Sequence, residues 1–230
     1  MRKYLGFATL AAIALVLSSA PASAAFIVSV TGDGSLVAAP ADASPGANVN
    51  DYYTVWEEGS GSIVADLAVD HDGTAGSYAG NSVLPATTLT AGTSFNSAIV
   101  HLETATDGLG LKAVINFTTK IIGMSLFSPS VDNGDIYGAP GTTYPTFGVP
   151  IAGLDTRGID FRANDTFAVS ADGKTLSVHF TANGLGFDQI RVFTAAAGAV
   201  VPEPASLAVW SIIGSVMGGG TWWRKRKNAA

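Results

Sequence analysis

Thr166-Phe167-Ala168-Val169-Ser170 and Thr175-Leu176-Ser177-Val178-His179-Phe180 alternate apolar and polar side chains on either side of Asp172-Gly173. A pair of arms like this predicts a β-hairpin. Successive strand side chains point to opposite faces, so Phe167 and Val169 share one face with Leu176, Val178 and Phe180. Asp-Gly supplies the positive-φ chemistry of a tight turn. The same signature recurs from Ala25 to Thr194, in short alternating runs rich in Thr, Ser and Val, separated by Gly, Asn and Asp. No long stripe of helical period interrupts it. The expected fold is therefore all-β: a single two-layer β-sandwich, jelly-roll-like, over residues 25–194. Its other strands are expected at Phe26 to Val30, Tyr52 to Trp56, Ile63 to Val69, Ser97 to Glu103, Leu111 to Thr118, Ile121 to Phe127 and Asp188 to Thr194. The Pro- and Gly-rich stretch from Ser128 to Leu154 is expected as an irregular excursion at one end of the sandwich, where loops commonly carry binding function.

The two ends of the chain follow a different pattern. Arg2 and Lys3 precede an apolar run from Leu5 to Leu17 and the small residues Ser18 to Ala24. That order predicts a signal peptide over residues 1–24, with Ala22 and Ala24 presented to signal peptidase and cleavage after Ala24. The apolar run is short for a spanning helix. At the other end a spacer, residues 195–200, leads to Val201-Pro202-Glu203-Pro204-Ala205-Ser206. An apolar segment over residues 205–223 and the cations Arg224, Lys225, Arg226 and Lys227 follow. The segment is close to the roughly 20 residues that cross a hydrocarbon layer, and the cations favour the cytoplasmic side as a membrane stop. Pro202 and Pro204 hold the motif extended just outside the membrane, a form that fits a protease cleft.

Taken together, Val-Pro-Glu-Pro-Ala-Ser, a small-residue apolar helix and a terminal basic cluster resemble the PEP-CTERM sorting signal, over residues 201–227. In that family the tail is recognised by a membrane-embedded cysteine transpeptidase, exosortase. The resemblance implies that Pro202, Glu203 and Pro204 are its recognition element, a substrate site rather than a catalytic one. It also implies an inner-membrane-tethered precursor that ends at the cell surface or in an extracellular matrix. The Gly-rich helix and the closing Asn228-Ala229-Ala230 depart from the family's Leu-rich, Arg-ending tail.

Without the two ends, six Lys and Arg remain against seventeen Asp and Glu, a net charge of −11. A surface of that sign repels nucleic acid and anionic lipid. There are no cysteines, which excludes thiol nucleophiles and thiolate metal sites and leaves stability to packing and hydrogen bonding.

The candidate chemistry is sparse. His71, His101 and His179 show no zinc spacing, and no Gly-x-Ser-x-Gly nucleophile motif occurs. His179 is expected to face solvent. Asp70 and Asp72, and separately Asp132 and Asp135, sit in acidic turns that could gather oxygen ligands around Ca²⁺, although neither stretch forms the twelve-residue Ca²⁺ loop. Tyr52, Tyr53, Trp56, Tyr137 and Tyr144 could stack on sugar rings if exposed. Glu57 and Glu103 could serve a hydrolase only if a cleft brought them together. The sequence therefore leads to a non-enzymatic exported surface or matrix protein associated with biofilm or exopolysaccharide. A carbohydrate-binding β-sandwich module is the alternative, and an extracellular hydrolase comes third.

Overall fold

The computed structural model describes residues 25–79, 82–106, 108–145, 157–159, 165–181 and 187–196. The expected signal peptide (residues 1–24), spacer residues 197–200, the expected sorting motif, the 205–223 segment and the expected basic stop lie outside the described residues. Among the described residues no helix is long and apolar enough to cross a membrane.

The described residues are mainly β, as their alternation demands. Sheet A has the order β1 (Ile27–Gly32), β8 (Gly110–Phe117), β11 (Thr175–Thr181), β10 (Thr166–Val169) and β5 (Gly76–Ala79). Sheet B has the order β2 (Gly34–Leu36), β3 (Tyr53–Ser62), β7 (Ser94–Glu103), β12 (Phe187–Ala195) and β9 (Ile121–Ser125). A two-stranded sheet pairs β4 (Leu67–Val69) with β6 (Thr87–Leu89). Helix α1 (Ser128–Asn133) and a 3₁₀ turn, Asp135–Tyr137, follow β9.

The hairpin forms in the expected register, with Thr166 opposite His179 and Val169 opposite Leu176. Gly173 takes φ +71°. Asp172 closes the turn by accepting the Ser170 hydroxyl and the Lys174 N–H at 2.5 and 3.0 Å.

Alternation also builds the core. Phe167, Val169, Leu176, Val178, Phe180, Ala113, Ile115 and Phe117 of sheet A pack against Tyr53, Val55, Ala98, Val100, Leu102, Ile190 and Val192 of sheet B in one buried cluster. At roughly 1.5–3 kcal/mol per fully buried large apolar side chain, this cluster is the main favourable contribution in a chain without disulfides. A second cluster, Ile63, Leu67, Val69, Leu89, Phe95 and Phe193, seats the small β4–β6 sheet.

Two expectations need correcting, and three strands went unread. Ile63 to Val69 is not one strand: Ile63 follows directly on β3, and only Leu67–Val69 pairs, with β6. The short strands β2, β5 and β6, of three or four residues each, gave too little alternation to read. The stretch from Ser128, as far as residue 145, does not sit at one end of the sheets. Its described part begins with α1, and its side chains reach onto the outer face of sheet B, where Asp135 and Tyr144 meet Arg191 and Glu58.

Candidate functional site

The two sheets present contrasting outer faces. On sheet B the outward side chains run in rows fixed by strand register. Thr54, His101 and Gln189 form one row, and Trp56, Ile99, Arg191 and Ser125 the next. All of them are buried. They are covered by the segment around Ala43, by α1 and by the stretch through Tyr144.

A charged network fills that sealed layer. Arg191 donates from Nε to Glu58 Oε2 at 2.8 Å and from Nη2 to Glu58 Oε1 at 2.9 Å. Nη2 also reaches Asp135 at 2.9 Å, and Nη1 donates to the Val131 carbonyl of α1. Glu58 occupies the extra position of a bulge in β3, where the register slips between Glu57 and Gly59; bulges commonly re-aim a side chain in this way. Burial opposes the charge on Arg191, but Glu58 and Asp135 outweigh it and raise its pKa.

A second arginine enters from above. Arg157 donates to Asp132 at 2.9 Å, to Asp135 at 2.6 Å, and from Nε to Gln189 Oε1 at 2.7 Å. The two guanidinium carbons each lie 5.2 Å from the Tyr144 ring centre, within the range of a cation–π contact. Tyr144 donates its hydroxyl to Glu58 at 2.6 Å. Its pKa is pushed up to about 12, first by burial and then by the Glu58 charge.

Gln189 links this network to His101. With its amide oxygen held by Arg157, Gln189 turns its NH₂ toward His101 Nδ1, 3.1 Å away. Nδ1 then accepts, and the ring proton sits on Nε2, 3.7 Å from Glu103. Burial would raise the Glu103 carboxyl, but the partners His101 and the Gly46 and Asn48 amides prevail and its pKa is lowered.

The outward side chains of sheet A are exposed or half-buried. Register aligns Thr166, His179 and Lys112 in one row across β10, β11 and β8, and Ala168, Ser177 and Val114 in the next. Ser77 and Ala79 of β5 continue these rows. The small side chains leave a groove of about 390 Å³, lined by hydroxyls, Lys112 and His179 and, among the described residues, by no carboxylate. His179 faces outward here, as expected.

The residues singled out in the sequence are scattered. Asp70 accepts the Leu126 and Phe127 N–H groups at 2.7 and 3.0 Å, together with the Ser130 hydroxyl, and so fixes the entry to α1. Asp72 closes a local turn onto the Thr74 N–H at 2.8 Å. Asp132 and Asp135 converge, but on Arg157. Among the described residues no group of three or more His, Asp or Glu side chains could hold a metal ion. Glu57 accepts the Phe26 and Ile27 N–H groups at 2.6 and 2.7 Å, on the face of sheet B opposite Glu103. Of the aromatics, Tyr53 and Trp56 are buried, Tyr144 belongs to the sealed network, and Tyr137 packs edge-on against Phe95. Tyr52 is 40% exposed.

Sequence reasoning missed Arg157, Arg191, Gln189 and Lys112 as members of organised clusters. Arg191 alternates with Ile190 and Val192 in sequence, but that alternation gives no sign that segments far from it along the chain cover it. No protein-family model, no curated protein and no solved structure matches this chain.

Proposed function

We propose that this protein is a non-enzymatic exported component of the cell surface or extracellular matrix, associated with biofilm or exopolysaccharide and matured by signal peptidase and by an exosortase acting at Pro202-Glu203-Pro204. Its exported part is an acidic, jelly-roll-like β-sandwich in which strands distant in sequence lie side by side.

The supporting observation is the placement of β12. This strand is hydrogen-bonded on both sides, to β7 and to β9, and it runs to Ala195, next to the spacer that precedes the sorting motif. A tail carried by an interior strand transmits pull to the whole of sheet B, through bonds that must shear together. That suits a domain held by its carboxy terminus. The carboxylates nearest to a catalytic arrangement, Glu58, Asp132 and Asp135, are committed to arginines. Intact-mass analysis of the protein recovered from envelope and medium tests the reading. A species from Ala25 to between Pro202 and Pro204 is expected, and recovery of chains ending at Ala230 alone would overturn it.

A second reading, a carbohydrate-binding module of the same architecture, is favoured by the hydroxyl-lined groove on sheet A.

A further inference from the structure

We propose that the groove on the outer face of sheet A binds a carboxylated polysaccharide, with Lys112 pairing to a sugar carboxylate and His179, Thr166 and Ser177 bonding hydroxyls along the chain. The proposal rests on the carbohydrate-binding reading and names the ligand class.

The first argument is charge. The region between the two ends carries seventeen acids and six cations, and Arg157 and Arg191 are buried against acids under the sealed layer. A groove whose described lining holds one of the domain's few cations and no carboxylate is the face of an acidic domain that repels a polyanion least. Lys112 sits in that groove. Its backbone N–H donates to the Asp33 carboxylate at 3.0 Å, and its side chain is exposed.

The second argument is the shape and chemistry of the row. Thr166, His179 and Lys112 lie on three adjacent strands. At about 4.8 Å between strands, the row spans on the order of 10 Å, comparable to a disaccharide. Ser77, Ala168 and Ser177 are small enough to let a ring approach the sheet, while Lys112 and His179 stand above them. A peptide would gain little here, because strand addition uses a sheet edge and this is a face. Hydroxyl donors beside a single ammonium match a ligand whose own groups are mostly hydroxyls with one acid per unit.

Calorimetric titration of the full-length chain in mild detergent tests this, with hexagalacturonate as the probe. Three further ligands are run alongside: its methyl ester, a neutral hexasaccharide and a glutamate hexapeptide. Hexagalacturonate is expected to bind, with the other three at least tenfold weaker. Lys112→Gln should weaken hexagalacturonate on the order of tenfold, the size of one charge-assisted hydrogen bond. Ser177→Phe, which fills the groove, should abolish binding. Both variants are checked for an unchanged unfolding temperature, and since both positions face outward, either one suffices if the other perturbs the fold. Equal binding of ester and acid would overturn the carboxylate claim and leave the carbohydrate reading standing. No binding of any saccharide would overturn both. A glutamate peptide that binds as well as the uronate, or variants that bind like the parent, would overturn the groove proposal.

Discussion

The Arg191 guanidinium and the Glu58 carboxylate form a two-point ion pair at 2.8 and 2.9 Å, with both side chains at 0% exposure, between strands that are not neighbours in sheet B. Strand β7 lies between them and contributes the Ser97 hydroxyl, which donates to Glu58 at 2.5 Å. The pair is the floor on which α1, the 3₁₀ turn and Tyr144 rest. With either partner missing, the other would be a buried charge without its main counter-ion.

Removing one partner should therefore cost far more than removing both. Arg191→Met leaves the Glu58 carboxylate buried and uncompensated, a loss of about 3–5 kcal/mol. Pairing it with Glu58→Leu should recover much of that. Urea unfolding of the two single variants and the double variant measures the difference; a cost below about 1 kcal/mol for Arg191→Met would show that the cover does not depend on the pair.

Asp70 should act through the backbone amides at the start of α1. Asp70→Ala strips acceptors from the Leu126 and Phe127 N–H groups and from Ser130, and should destabilise by about 1.5–3 kcal/mol, as expected for hydrogen bonds to a charged group. The drop in unfolding temperature should be the same with millimolar Ca²⁺ and with chelator. A loss seen only when calcium is present would restore Asp70 as a metal ligand.

His71 gives the fold a pH dependence. It is fully buried, takes the Gly73 N–H on Nδ1 at 2.9 Å, and packs edge-on against Tyr78 and Phe167 at 4.4 and 5.3 Å between ring centres. Burial lowers its pKa, with Asp72 opposing only in part. Below the ordinary imidazole value of about 6.5, the unfolded chain binds a proton that the folded one resists. Its contribution is therefore complete above that value and shrinks as pH falls toward the lower folded value. The parent should lose stability between pH 7.5 and 5.5 by an amount that His71→Phe does not share; parallel curves would exclude this source.

Two glycines separate backbone strain from crowding. Gly73 and Gly92 have φ of +82° and +87°, but a Cβ on Gly73 would lie 2.3 Å from the Ile121 carbonyl oxygen, whereas one on Gly92 would meet nothing within 4 Å. Gly92→Ala should cost about 1–2 kcal/mol for the left-handed conformation alone. Gly73→Ala should cost at least twice as much, because β9 must move. Equal costs in thermal unfolding would mean that the Ile121 carbonyl yields freely.

The larger elements were legible because they need only local information. The runs now seen in β7, β8, β11 and β12 show their alternation in sequence, and the Asp172-Gly173 turn carries its own conformational preference. The strands β2, β5 and β6 did not, because three or four residues give an alternation no pattern to stand on. The sealed network was invisible for a different reason. Glu58 and Arg191 are 133 residues apart, and a polar residue at an outward strand position reads as solvent-facing unless something is known to cover it.

By itself, then, the sequence determined the fold class, the hairpin register, the excess of acid and the composition of the two ends, each a property of consecutive residues. Only the tertiary structure decided which outer face is covered. One sheet is covered by a segment that carries Asp135 onto Arg191 and Tyr144 onto Glu58, while the other keeps Lys112 and His179 in a groove. Which charges meet depends on strand order and on the path of the covering segment, and neither is written in the spacing of residues along the chain.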